Sequence, residues 1–148
     1  MSIRKGSEKD IPAVLALIKE LAVYEKEPEA VVVTEEQLLE DGFGSNPSYG
    51  LYVAEMDGKV VGISLYYYRY STWKGRCLYL EDLIVTESYR GKGLGKALFE
   101  ITLEQARKDN CAKMNWQVLD WNTPAIDFYK TYGAELDGEW LNGSFTLK

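Results

Sequence analysis

The sequence predicts a single domain of the mixed α/β (α+β) class over residues 1–148. Its 148 residues, 46% of them hydrophobic and 27% charged, suffice for one hydrophobic core without metals or disulfides. Segments with a helical spacing of apolar residues alternate along the chain with segments of strand character. A glycine-rich stretch, Tyr89–Ala97, falls between a predicted strand and a predicted helix. These three observations indicate a sheet combined with helices.

The first third of the sequence predicts a short strand followed by two helices. The strand lies near residues 3–5, and Ser7 or Asp10 can cap a helix over "IPAVLALIKELAVYEK". Thr34 to Gln37 has the capping-box pattern, so a shorter second helix is expected to end near Gly42. The apolar stripe of the first helix consists of Val14, Leu15, Ile18, Leu21 and Ala22.

The middle of the sequence predicts three strands. Asp57-Gly58 is a hairpin signal between "LYVAEM" and "VVGISLYYYRY", and "CLYLEDLIV" has strand character. The third strand carries Glu81 and Asp82 at its centre. Because side chains alternate along a strand, we expect these two carboxylates to point to opposite faces of the sheet.

The last third predicts a helix, a strand, a short helix and a final strand. "GKALFEITLEQARKDN" has the helical pattern, and "KMNWQVL" follows as a strand. Asn122 or Thr123 can cap a helix over "PAIDFYKTYG", with Pro124 in its first turn. The tail "EWLNGSFTLK" is predicted to be a strand, or a hairpin at Asn142-Gly143.

Composition excludes several classes of function. With 17 Lys plus Arg against 23 Asp plus Glu, the net charge of −6 argues against nucleic acid and favours a small or cationic partner. No apolar run approaches the roughly 20 residues of a membrane span, so no membrane partner is expected. The chain has no histidine, so we expect no metal site and chemistry carried by carboxylates, tyrosines or water.

The two cysteines predict a cytoplasmic location. Cys77 and Cys111 lack Cys-x-x-Cys spacing, and the sequence shows no secretory signal pattern. We expect a reduced compartment and no disulfide between them. Neither thiol has a base or a cationic cluster beside it in the sequence, so both are predicted to be non-catalytic.

The glycine-rich stretch "YRGKGLGKA" predicts either an anion site or a structural turn. A glycine loop that opens a helix presents unpaired backbone N–H groups beside the positive end of the helix dipole. Arg90, Lys92 and Lys96 can add positive charge. The stretch lacks the Gly-Lys-Ser/Thr ending of a P-loop and the glycine spacing of the dinucleotide fingerprint.

Single residues leave their roles open at this point. Glu81 fits a cleft carboxylate as well as an exposed residue at a sheet edge. Tyr129 is one of 11 tyrosines, most of which should pack in the interior. The aromatic residues that fit either a core or a substrate lining are Tyr24, Trp73, Trp116, Trp121 and Trp140.

The order of the motifs resembles a known family. "LYLEDLIVTESYRGKGLGKALFE", followed by "VLDWNTPAIDFYKTYGA", resembles the GCN5-related N-acetyltransferase (GNAT) superfamily over most of the chain. "IKELAVYEKE", "LLEDGFGSNPSY" and "YSTWKGRCLYLEDLIV" resemble its diamine and thialysine acetyltransferase branch, with "STWKGR" and "LDWN" closer to the thialysine members. The resemblance implies a bent mixed sheet with a splayed strand pair, helices on both faces, and a homodimer.

The resemblance also implies the residues of an acetyl-CoA site and an amine site. The strand would pair with the pantetheine arm, the loop amides would hold the pyrophosphate, and Tyr129 would protonate the departing thiolate. Glu81 would deprotonate the amine through an ordered water or hold its charge. The implied cofactor-binding residues are Leu83, Ile84, Val85, Arg90, Gly91, Lys92, Gly93, Leu94, Gly95, Lys96, Asn122, Pro124 and Tyr129. The implied amine-site residues are Tyr24, Glu25, Glu81, Trp116 and Gln117.

Three functions stay open from the sequence. The first is direct acetyl transfer from acetyl-CoA to a small cationic amine, either a lysine-like amino acid such as thialysine or a diamine such as spermidine. The second is an acyl-CoA-binding module without catalysis, and the third is acetylation of a protein or peptide. Segment Ser48–Gly50 departs from the branch pattern where the amine pocket is shaped, so the exact amine stays open.

Overall fold

The computed structural model describes all residues 1–148, which group into two compact units, Met1–Gln117 and Val118–Lys148. Two such units can belong to one folding domain, so the single-domain assignment stays a prediction. The helices are α1 (Ile11–Tyr24), α2 (Glu35–Phe43), α3 (Leu94–Lys108) and α4 (Thr123–Lys130). The strands are β1 (Ser2–Lys5), β2 (Gly50–Met56), β3 (Lys59–Ser71), β4 (Gly75–Val85) and β5 (Lys113–Asn115).

The first unit is built on a five-stranded sheet in the order β1-β2-β3-β4-β5. The first four strands are antiparallel, and β5 lies parallel to β4. The predicted hairpin between β2 and β3 is confirmed, with Asp57 and Gly58 both at positive φ as its turn. The mixed sheet confirms the predicted fold class.

Helices cover both faces of this sheet, because side chains alternate along the strands. On β2, Leu51 and Val53 pack with Val14 and Leu17 of α1. The intervening Tyr52 and Ala54 pack with α3 on the opposite face. Below, these two sides of the sheet are called the α1 face and the α3 face.

The parallel pair β4–β5 is short, and this corrects one prediction. Pairing covers only Cys77–Tyr79 against Lys113–Asn115, whereas β4 continues to Val85. The strand predicted over "KMNWQVL" therefore ends at Asn115. The residues after Asn115 do not pair with β4. The edge of β4 beyond Tyr79 therefore carries no strand.

The second unit contains α4 and an irregular tail. Of the two predicted capping residues, Asn122 caps α4, with its side-chain Oδ1 accepting from the N–H of Ala125 at 3.4 Å. The predicted strand or hairpin in the tail is wrong, since no strand forms after residue 133. Leu141, Phe145 and Leu147 are more than 90% exposed, so the tail has no buried face to hold it in a sheet. None of the helices in either unit has the length and apolarity of a membrane span.

Candidate functional site

The glycine loop between β4 and α3 takes a backbone shape that glycine favours. Gly91 and Gly93 have φ values of 78° and 82°, in the left-handed region. Gly93 caps α3, and the first helical bond runs from the N–H of Ala97 to the Gly93 carbonyl at 3.0 Å. The N–H groups of the residues between them have no acceptor within the helix. The loop thus offers a cluster of backbone donors at the positive end of a helix dipole, which suits an anion.

The cationic side chains of this loop differ in their surroundings. The guanidinium of Arg90 donates from Nε to the carbonyl of Val85 at 2.8 Å, and its Nη2 lies 3.4 Å from Glu20 Oε2. The ammonium of Lys92 lies 5.6 Å from the centre of the Tyr89 ring. Lys96 is exposed on the first turn of α3. Arg90 is therefore engaged by protein groups, whereas Lys92 and Lys96 are exposed beside the backbone amides of the loop.

A β-bulge at Glu81 corrects the predicted directions of the two central carboxylates. Leu65 pairs with Asp82 and Tyr66 with Leu80, so Glu81 is an extra residue on β4. The extra residue breaks the alternation of side chains. Leu78 before it and Val85 after it both pack on the α3 face, although they are an odd number of residues apart.

Both carboxylates consequently lie on the α1 face, and the prediction of opposite faces is wrong. Before the bulge, Glu81 shares a side with Tyr79, and it accepts a hydrogen bond from the hydroxyl of Tyr67 at 3.3 Å. After the bulge, Asp82 shares a side with Ile84, which packs with α1. The alternation rule fails here because the extra residue shifts the alternation of side chains along β4 by one residue.

Three carboxyl groups share one electrostatic environment on the α1 face. Burial, together with the charges of Glu81 and Glu25, raises the pKa of Asp82 to about 7. Burial and the charge of Glu81 also raise the pKa of Glu25, the residue that follows α1. Like charges held close together in a partly buried site favour a bound cation or proton. Below, Glu25, Glu81 and Asp82 are called the carboxylate cluster.

The other predicted amine-site residues lie in different surroundings. Tyr24 ends α1 and is 40% exposed, with the Arg90 guanidinium 5.7 Å from its ring centre. Trp116 contacts Phe99 of α3 edge to face at 5.6 Å between ring centres. Gln117 is exposed. The structure thus brings Tyr24, Glu25 and Glu81 to the α1 side and places Trp116 against a helix of the other face.

The free edge of β4 supplies a second kind of surface. Leu83, Ile84 and Val85 pair with β3 on one side and have no strand on the other. At the last pair of the short parallel ladder, Asn115 faces Tyr79. The side-chain Oδ1 of Asn115 is buried without a hydrogen-bond partner. A buried acceptor and an unpaired strand edge together suit a ligand that carries amide groups.

Three predicted residues, Asn122, Pro124 and Tyr129, belong to the second unit. Pro124 lies in the first turn of α4, directly after the capping Asn122 and Thr123. Tyr129 lies on the same helix and is 8% exposed, with its ring 5.5 Å from that of Phe128. Tyr129 is therefore a buried residue of α4.

The two thiols lie outside these groups. Cys77 is buried on β4, and burial together with the Asp109 charge raises the pKa of Cys111. A raised thiol pKa lowers the fraction of reactive thiolate, which supports the prediction of a non-catalytic Cys111.

Sequence reasoning missed three side chains near these features. Asp82 was visible beside Glu81, but its direction depends on the bulge. Tyr67 and Glu20 carried no signal, because one lies in a run of tyrosines and the other on a charged helix position. Their contacts, with Glu81 and Arg90, join residues far apart in the chain.

Several known proteins are similar to this chain in sequence. A family model described as "Acetyltransferase (GNAT) family" matches residues 13–134. The chain is 45% identical over 141 residues to the thialysine N-epsilon-acetyltransferase of Bos taurus, covering 90% of this chain and 83% of that protein. It is 39% identical over 139 residues to the spermidine/spermine N(1)-acetyltransferase-like protein 1 of Homo sapiens, covering 89% of this chain and 20% of that protein.

A solved structure shows the same fold. The aminoglycoside N-acetyltransferase AAC(6')-Iy in complex with CoA superposes with a TM-score of 0.74 at 19% identity. The superposition covers 98% of this chain and 99% of that chain.

Proposed function

Because this chain belongs to the acetyltransferase (GNAT) family, we propose that it moves an acetyl group from acetyl-CoA to the primary amine of a small cationic substrate. The candidates are thialysine, a lysine-like amino acid, or a diamine or polyamine. The observation that carries this proposal is the carboxylate cluster, in which Glu25 interacts with Glu81 and Asp82 of β4. Such a cluster stabilises a bound ammonium group.

Acetyl-CoA, the acetyl donor of this family, fits the features of the β4 edge and the loop. The free edge at Leu83, Ile84 and Val85 offers main-chain groups for the pantetheine amides, and Asn115 Oδ1 offers a buried acceptor. The backbone amides of the loop suit the pyrophosphate. In this assignment the loop residues are Gly91, Lys92, Gly93, Leu94, Gly95 and Lys96.

The amine must lose a proton before it attacks. A primary alkylamine has a pKa near 10.4, so only about one molecule in 10³ is neutral at pH 7. We assign Glu81 as the proton acceptor, acting through a water, because it is exposed and hydrogen-bonded to Tyr67. Asp82, with a pKa of about 7, can take the proton onward or hold the ammonium charge.

The departing thiolate needs a proton, which we assign to Tyr129. Direct attack of the amine forms a tetrahedral oxyanion that main-chain donors stabilise, and its collapse breaks the C–S bond. A phenol that protonates the sulfur lowers the barrier of that step. We expect Tyr129→Phe to lower kcat about 10²-fold and to leave the Kd for acetyl-CoA within twofold. Steady-state kinetics and calorimetry measure both, with Tyr132→Phe on the same segment as the control.

An unchanged kcat in Tyr129→Phe would remove this residue as the acid. A large rise in the Kd for acetyl-CoA would show that its role is binding.

The test of the function is a substrate panel. CoA release is measured with acetyl-CoA and thialysine, lysine, ornithine, putrescine, spermidine or spermine. We expect turnover of at least one small amine and none of neutral amides. Preference for spermidine and spermine would support the polyamine alternative, to which the 39% identity to the human protein points, whereas the 45% identity to the Bos taurus enzyme points to thialysine.

Two outcomes contradict the proposal. Tight CoA binding without transfer to any amine would indicate a catalytically silent acyl-CoA-binding module. Acetylated peptides in mass spectrometry, without turnover of small amines, would indicate a peptide acetyltransferase.

We also propose a cytoplasmic homodimer. Both cysteines are free thiols, which suits a reduced compartment, and the resemblance to the diamine and thialysine acetyltransferase branch supports a dimer.

A further inference from the structure

Glu20 on α1 has a carboxylate with three contacts to the segment after β4. Its Oε1 accepts from the Thr86 hydroxyl at 2.6 Å. Its Oε2 accepts from the N–H of Glu87 at 3.1 Å and lies 3.4 Å from Nη2 of Arg90. Glu20 and Arg90 are 34% and 42% exposed at their side chains, so the group is only partly screened by solvent. One side chain of α1 therefore contacts three residues between β4 and the glycine loop.

The contacts of Glu20 define the turn that leads into the loop. Residues Glu87–Tyr89 form a single 3-10 turn, and Thr86 precedes it. Thr86 itself makes no side-chain cap to this turn, because its hydroxyl donates to Glu20. Glu20 instead accepts the first N–H of the turn, as a capping side chain does from within its own segment. The turn is thus capped from another element.

Arg90 is held from three directions. Its Nε donates to the carbonyl of Val85 at 2.8 Å, its Nη2 faces Glu20, and its guanidinium lies over the Tyr24 ring. A planar guanidinium with several donors can satisfy these contacts at once, which a lysine cannot. Together these contacts connect the end of β4 to the end of α1.

We propose that Glu20 and Arg90 are positioning residues for the acetyl-CoA loop. Together they hold the turn before Gly91, and so the backbone amides of the loop, in the shape that binds the pyrophosphate. The contact with Tyr24 ties the same loop to the end of α1, where Glu25 of the carboxylate cluster begins. The proposal rests on the proposed function only in that the loop binds acetyl-CoA.

The alternative role for Arg90 is a direct bond to a phosphate. The two roles predict opposite effects of removing Glu20. If Arg90 bound a phosphate, the carboxylate of Glu20 would compete for Arg90 and repel the anion, so removing Glu20 would tighten CoA binding. If Glu20 and Arg90 position the loop, removing Glu20 frees the turn and weakens CoA binding.

The experiment measures the Kd for CoA by isothermal titration calorimetry in the full chain. We expect Glu20→Ala to weaken binding about fivefold or more, and Glu20→Gln, which keeps an oxygen acceptor, to weaken it less. The matched control is Glu104→Ala, which breaks an exposed Glu–Arg pair on α3 with 69% and 66% exposure. We expect no change in that control.

Two further measurements distinguish a positioning role of Glu20 and Arg90 from a general loss of fold stability. In steady-state kinetics, Glu20→Ala should raise the KM for acetyl-CoA and leave kcat within about twofold. The double variant Glu20→Ala/Arg90→Ala should bind CoA no more weakly than the weaker single variant, because both residues act through one turn.

Tighter CoA binding in Glu20→Ala, or an affinity equal to wild type, would overturn the proposal. So would additive losses in the double variant. Failure of the proposed function looks different, because wild type would then bind CoA without acetylating any amine of the panel.

Discussion

At the residue scale, Asp82 has the most perturbed environment of the candidate site. Burial, followed by the charges of Glu81 and Glu25, raises its pKa to about 7. A carboxyl group with a pKa near the working pH can both accept and release a proton. Its place on the α1 face results from the bulge, which the sequence does not reveal, because a bulge depends on how β4 pairs with β3.

We expect this pKa to appear in the pH profile of the reaction. Deprotonation of Asp82 strengthens the attraction for the ammonium group, so kcat/KM for the amine should rise as the pH passes through about 7. The free enzyme determines this limb. In Asp82→Asn the limb should disappear and kcat/KM should fall about 10-fold or more at pH 8. Initial rates from pH 5.5 to 9 measure it, with Glu104→Gln as the control. A rise at the same pH in Asp82→Asn would contradict the assignment.

The loop glycines give a second prediction at this scale. Gly93 has a φ of 82°, and a β-branched residue in that conformation is strained by roughly 1–2 kcal/mol or more. Lys92 is exposed over Tyr89. We therefore expect Gly93→Val to weaken acetyl-CoA binding more than Lys92→Ala does. Calorimetry with both variants decides it, and a larger loss in Lys92→Ala would show that charge outweighs backbone shape.

At the element scale, an ion pair between a partly exposed arginine and a buried carboxylate joins β1 to the start of α1. Arg4 donates to both oxygens of Asp10, at 2.8 and 3.0 Å, and to Glu55 on β2 at 2.7 Å. Asp10 is 5% exposed and also accepts from the N–H of Ser7. The hydrogen bond from Arg4 lowers the pKa of Asp10, against the opposing effect of burial. This pair fixes the entry of α1, and with it the positions of Glu20 and Glu25.

We expect Arg4→Met to lower the free energy of unfolding by about 2 kcal/mol at pH 7, because it leaves a buried carboxylate unpaired. The pKa of Asp10 is lower in the folded state, so this stabilisation exists above its unfolded value near 3.8 and is lost as the pH falls through the folded value. Urea denaturation at pH 7 and at pH 3 measures it, and the difference between the proteins should shrink at pH 3.

The control for this pair is Arg107→Met. It breaks an ion pair with Glu104 of similar length whose partners are both more than 60% exposed. We expect a cost below about 0.5 kcal/mol. Equal costs for Arg4→Met and Arg107→Met would contradict the role assigned to burial.

Most elements could be predicted from the sequence because their signals are local. The capping box at Thr34, the Asp57-Gly58 turn and the cap at Asn122 each depend on neighbouring residues and are confirmed. The bulge at Glu81 and the contacts of Glu20 depend on pairings between distant residues. The tail was predicted as a strand from its pattern, but a strand also needs a partner, and none is present.

At the scale of the whole molecule, the tip of the β3–β4 hairpin carries exposed aromatic side chains. Tyr70 and Trp73 are 76% and 84% exposed. Aromatic residues exposed together are typical of protein interfaces. We assign this hairpin tip to the proposed homodimer.

Light scattering at micromolar concentration tests the dimer. We expect the mass of two chains for wild type and a shift toward one chain in Tyr70→Ser/Trp73→Ser. Val32→Ser removes an equally exposed apolar side chain elsewhere, 83% exposed, and should leave the mass unchanged. A wild-type monomer would end the dimer proposal, and an unchanged double variant would exclude this hairpin tip.

The bulge at Glu81 makes the number of residues in β4 decide which face each side chain points to. The half of the strand before it and the half after it are offset by one residue, yet both bury their apolar side chains correctly. Removing one residue between Tyr79 and Asp82 would restore regular side-chain alternation along the whole strand. The apolar side chains on one side of the deletion would then point to the wrong face. Substitutions at this point should therefore be better tolerated by the fold than a one-residue deletion, even where they abolish activity.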